Sequence, residues 1–182
     1  MTAAHNGTSQ TADVQFVADA TTARVAELDL MEDGAVADGT AANSVQAVVT
    51  DASGNPVSGA AVAFTATNGA VLAAATGTTG ADGRVTVTLT STRAGASTVT
   101  AAHNGTSQTA DVQFVADATT ARVAELDLME DGAVADGTAA NSVQAVVTDA
   151  YDNPVSGAAV AFTPPPMVQP LRPPPPPGRT AP

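Results

Sequence analysis

The chain has 182 residues, a formal net charge of −12 and a pI near 4.1, and it contains no cysteine, tryptophan or lysine. At roughly 100–200 residues per domain this length excludes a large multidomain enzyme, and six Arg against eighteen Asp and Glu exclude a basic surface for nucleic acid or anionic membrane. The missing cysteines exclude a disulfide framework, a thiolate nucleophile and Cys-ligated metal; no apolar run approaches the roughly 18 residues of a spanning helix, and Met1 opens no signal-peptide pattern, so neither membrane insertion nor an export address is expected.

The apolar fraction of 44% comes mostly from Ala and Val, interleaved with Thr, Gly, Ser, Asn and Asp. β-branched residues favour pleated strands, and Gly, Asn and Asp supply the turns. In chain order, the signals predict strands over 24–30, 43–50, 60–66, 70–76, 84–91, 96–103 and 108–116. Val45, Ala47 and Val49 alternate with Gln46 and Thr50, Val62 and Phe64 flank Ala63, and Val85, Val87 and Leu89 alternate with Thr86, Thr88 and Thr90. A period of two buries one face and wets the other. Between these runs stand Asp51-Ala52-Ser53-Gly54-Asn55-Pro56, Thr67-Asn68-Gly69, Gly80-Ala81-Asp82-Gly83 and His103-Asn104-Gly105, all turn-forming sequences. About seven such strands without helical periodicity predict an all-β, Ig-like antiparallel β-sandwich. Its expected core is Val45, Val49, Val62, Phe64, Val85, Val87, Leu89, Val99, Val112 and Phe114.

Residues 2–65 recur at 100–163, an offset of 98, with two differences: Ser53-Gly54 becomes Tyr151-Asp152. That period suits a sandwich domain of about 100 residues. The expected organisation is therefore tandem: 1–20 as the closing strands of a preceding domain, 21–118 as a complete domain, 119–163 as the first half of another, and 164–182 as a Pro-rich disordered tail. Shifting the reading frame at Pro166-Met167-Val168 permits Asn-Gly, and at Pro177-Gly178-Arg179-Thr180-Ala181 permits Gly-Ala-Asp-Gly. The tail thus reads as a frameshifted version of the same domain, with a true Pro-rich linker or ligand as the alternative. The terminal pieces jointly lack the equivalents of 66–99, so they are expected to expose strand edges.

Val36-Ala37-Asp38-Gly39-Thr40, the run from Val48-Val49-Thr50-Asp51 through Asn55-Pro56-Val57-Ser58-Gly59, Val62-Ala63-Phe64-Thr65 and Asn68-Gly69 resemble the bacterial immunoglobulin-like domain, group 1. Gly83-Arg84-Val85-Thr86-Val87 and Gly95-Ala96-Ser97-Thr98-Val99-Thr100-Ala101 continue the resemblance in order, across residues 22–116. Such domains build the extracellular rods of intimin/invasin outer-membrane adhesins. The resemblance implies a non-enzymatic structural or spacer repeat displayed at the cell surface and outer membrane, with adjacent Ig-like domains of the same chain as partners. A direct adhesion module, contacting a host or neighbouring-cell ligand through variable loops, is the alternative.

No residue set supports catalysis, and no cofactor is expected. His5 and His103 are copies of one turn position. The acidic cluster Glu27, Asp29, Glu32, Asp33 and Asp38, repeated at Glu125, Asp127, Glu130, Asp131 and Asp136, reads as a solvated face; Asp29, Asp33 and Asp38 are the candidates for calcium, which takes oxygen ligands. Asp51, Asn55 and Pro56 read as a structural turn whose tip varies between copies.

Overall fold

The computed structural model describes residues 1–163, and the Pro-rich tail predicted at 164–182 lies outside them. Among the described residues, thirteen strands run in order: β1 (Thr2–His5), β2 (Thr8–Thr11), β3 (Arg24–Glu32), β4 (Ala35–Val36), β5 (Ala42–Thr50), β6 (Ala61–Ala66), β7 (Val71–Leu72), β8 (Thr76–Thr78), β9 (Arg84–Thr90), β10 (Gly95–His103), β11 (Thr106–Val115), β12 (Arg122–Glu130) and β13 (Ser142–Thr148). Strands β3 to β11 form a sandwich of two sheets, ordered β3-β5-β9-β7 and β4-β11-β10-β6-β8. All pairings within it are antiparallel except β4 with β11, which run parallel.

The alternation in the sequence builds the core directly. Val45, Ala47 and Val49 of β5 are fully buried, facing Val62, Phe64, Val99, Val112 and Phe114 of the other sheet within one hydrophobic cluster, and Asn43 of the same strand is fully buried too. Of the ten expected core residues, Val85 alone is only half-buried. It lies opposite Gly77, where a Cβ would stand 2.6 Å from Val85 Cγ2. The Val85 methyl already occupies the space a side chain at position 77 would take, so glycine is what fits there.

The strand predicted over 70–76 is two pieces in different sheets. Val71–Leu72 pairs with β9, whereas Thr76–Thr78 pairs with β6. The crossing between them is held by backbone bonds from Ala73 N to Thr88 O at 2.9 Å and from Phe64 N to Ala75 O at 2.8 Å. Small alanines let the chain pass from one sheet edge to the other without blocking either. The turn Asn104-Gly105 joins β10 to β11 with φ of +47° and +76°, the left-handed pair that matches strand twist in a two-residue hairpin.

Outside the sandwich, β1 and β2 pair only with each other, as do β12 and β13. Their side chains show what is missing. Phe16 is 97% exposed although its copy Phe114 is 3% exposed, and Val123 is 53% exposed although its copy Val25 is 2% exposed.

Candidate functional site

The acidic residues are held by separate local structures. Asp29 on β3 lies 3.8 Å from Arg84 Nη1, and Glu32 accepts from Ser44 Oγ at 3.3 Å. Asp33 Oδ1 accepts the Gln113 backbone N–H at 2.6 Å. Asp38 Oδ1 accepts the N–H groups of Ala41 and Thr40, each at 2.7 Å, and these bonds lower its pKa. Its copy Asp136 makes the same turn with Ala139 and Thr138, and is held down to about 2. Among the described residues, no three His, Cys, Asp or Glu side chains converge as a metal-holding group. His103 sits at the hairpin tip with Nδ1 2.7 Å from Ala61 O, and its copy His5 occupies the corresponding exposed tip of β1.

A denser network surrounds the turn after β5. Asp51 is 3% exposed and accepts the backbone N–H groups of Ser53 and Asn55 at 2.9 Å, the Asn55 Nδ2 amide at 2.9 Å, and the Asp19 N–H at 3.1 Å. The Asn55 side-chain bond and then the backbone bonds stabilise the carboxylate, holding its pKa at about 2. Asp19 in turn caps the short 3-10 turn Ala20–Thr22, accepting from Thr21 N at 3.0 Å and Thr21 Oγ1 at 2.6 Å. One aspartate therefore ties the loop to the segment by which the chain enters the sandwich.

The second copy repeats this arrangement and extends it. Asp149 accepts from Tyr151 N at 2.8 Å, Asn153 N at 2.9 Å, Asn153 Nδ2 at 2.8 Å and Asp117 N at 3.0 Å. Burial raises the Asp149 pKa, but these bonds, led by the Asn153 side chain, outweigh it and the net shift is downward. Asn153 also accepts the Ala94 N–H at 2.8 Å on Oδ1 and donates from Nδ2 to Thr92 O at 3.0 Å, while Tyr151 donates its hydroxyl to Asp38 O at 3.2 Å. Asn153 is 7% exposed, whereas Asn55 is exposed. The sequence marked this turn as variable but gave no sign of the contacts to Thr92 and Ala94, which join residues about sixty positions apart.

The sequence profile of the bacterial Ig-like domain (group 1) matches residues 25–115 and again 123–171. Among solved structures, the chain is similar to the D0-D1 domain of intimin, at 32% identity over 72% of this chain and 68% of that one, with a TM-score of 0.49. It is also similar to invasin, described as a bacterial integrin-binding protein, at 34% identity, 75% and 28% coverage and a TM-score of 0.49. FdeC, an Escherichia coli adhesin, shares 25% identity over 84% of this chain and 50% of its own, with a TM-score of 0.55. The chain spans 59% of the intimin D00-D0 structure and about a quarter of the invasin one. No curated protein matches it.

Proposed function

Because the chain belongs to the bacterial Ig-like domain (group 1) family, we propose that this adhesin-type module is a non-enzymatic spacer, one repeat of an extended array displayed at a bacterial cell surface. The observation that carries the reading is the placement of the two ends of the sandwich. The chain enters beside the Asp51 turn, through the bond from Asp19, and near the Asn104 tip, whose side chain donates to Ala23 O at 3.3 Å. It leaves through Val115, whose carbonyl accepts from Ala37 N at 2.8 Å. Strand β10 joins these ends, running from Gly95, opposite Phe114, to His103 at the entering end. Its nine residues span about 30 Å at the rise of an extended strand. Entry and exit at opposite ends make every period add length.

The family relatives named as adhesins support display at a surface, and the described integrin-binding of invasin supports a host ligand for the array as a whole. In this proposal the division at 21–118 is the folding unit, residues 1–20 and 119–163 belong to its neighbours, and Asp29, Asp33 and Asp38 remain surface carboxylates. Small-angle scattering on chains carrying one, two and three complete units tests it. The expected maximum dimension grows by the same increment with each unit, and specific cell or glycan binding by isolated 21–118 would overturn the spacer reading in favour of direct adhesion. Millimolar calcium is expected to leave the melting midpoint of 21–118 unchanged.

A further inference from the structure

Resting on the spacer reading, we infer that the turn Asp149–Asn153 is a head-to-tail docking surface whose partner is the Thr92–Ala94 loop of the preceding Ig-like unit, with Tyr151 as a second, junction-specific point of attachment.

The chemistry of Asn153 is fully used by this arrangement. A primary amide offers one carbonyl acceptor and two N–H donors. Here the carbonyl takes Ala94 N–H, and the amino group serves both Thr92 O and Asp149 Oδ2. The side chain thereby pairs with a backbone C=O and N–H two residues apart, as a neighbouring strand would. Its receptor is already shaped, because Ser91 Oγ donates to Arg93 O and accepts Arg93 N, both at 2.9 Å. Asp149, fixed by Asn153, also holds the linker at Asp117, which caps the turn Ala118–Thr120. Three segments meet in one network: the loop closing one unit, the linker, and the turn opening the next.

One attachment point permits rotation about the joint, and two do not. Tyr151 supplies the second by reaching Asp38 O, on a different turn from Thr92–Ala94. The copy of Tyr151 is Ser53, whose side chain is too short for this reach, and the copy of Asn153 is Asn55, which is kept. The asparagine is the element common to both copies, and the residue two before it selects how tightly a given junction is held.

The chain provides its own probe. Tyr151 is its only tyrosine and there is no tryptophan, so tyrosine emission of the full chain reports this joint. Asn153→Ala is expected to lower the anisotropy of Tyr151 and raise its quenching by acrylamide about twofold, since domains joined by small polar contacts move unless held. Ser91→Ala, in the preceding unit, is expected to shift both readings in the same direction. Native anisotropy in Asn153→Ala, or an unchanged signal in Ser91→Ala, would overturn the docking assignment. Growth of maximum dimension with unit number would still stand in that case, so failure of the joint is distinguishable from failure of the spacer.

Discussion

At the scale of the residue, the carboxylate of Asp51 does what a metal or disulfide does in other small domains: it gathers several groups from distant positions around one centre. Its pKa lies at about 2 in the folded chain against an ordinary 3.8, because Asn55, Asp19 and Ser53 donate to the charged form. A lowered folded pKa means that the unfolded chain binds more protons between these values. The stabilisation is therefore complete above about pH 4 and is lost as the pH falls towards 2. Melting midpoints of the full chain, which keeps the Asp19 donor, are expected to drop across that window. Asp51→Asn is expected to be less stable at neutral pH and to show a flatter acid limb; an unaltered acid limb would remove Asp51 from this role. Such a role was only half legible in the sequence. Asp, Gly, Asn and Pro in order announce a turn, but the bond to Asp19 depends on where the folded chain brings the linker.

At the scale of the element, strand alternation was the legible part, and the exceptions have physical causes. Val45, Val49, Val87 and Leu89 declare their face because an apolar side chain beside threonine has one low-energy side. Alanine makes no such declaration. Ala37, Ala47 and Ala101 are fully buried, whereas the Ala-rich stretch before Thr76 changes sheets. Asn43 is more instructive, since a polar residue at the start of a strand reads as solvent-facing. It is fully buried, accepting Ala35 N at 2.9 Å and donating to Gln113 O at 2.8 Å. It thus fastens β4 and β11 to β5, one in its own sheet and two in the other. Removing it leaves the half-buried Ala35 N–H without its acceptor, at a cost of about 1–3 kcal/mol, whereas Gln113 O keeps the Gly34 N–H. Asn43→Ala is expected to lower unfolding stability by about 1–3 kcal/mol in urea titration, with faster amide exchange at Ala35 as the local sign.

At the scale of the whole molecule, identical sequence adopts two degrees of burial. Residues 22–50 lie within a two-sheet sandwich, and their copy at 120–148 forms a lone hairpin with Val123, Leu126 and Leu128 exposed. A two-stranded ribbon is marginal in water without a second layer. The absence of lysine makes trypsin a clean reporter, because only the arginines offer cleavage and Arg172, followed by proline, is not cut. Cutting after Arg122 is expected well before cutting after Arg24, Arg84 or Arg93, leaving a resistant unit that contains 21–118; equal rates at all four would show that the sandwich is no firmer than its flanks. The parallel pairing of β4 with β11 carries a further consequence. Its bonds, Gly34 N to Gln113 O at 3.1 Å and Ala37 N to Val115 O at 2.8 Å, lie across the strand by which the chain leaves the unit. Tension drawn between the ends of an anchored array would slide β11 along β4, loading those bonds in shear so that they must rupture together rather than unzip in turn. Survival under pulling is governed by the unfolding rate, so Asn43→Ala, which loosens β4 and β11 from β5, is expected to raise that rate under load.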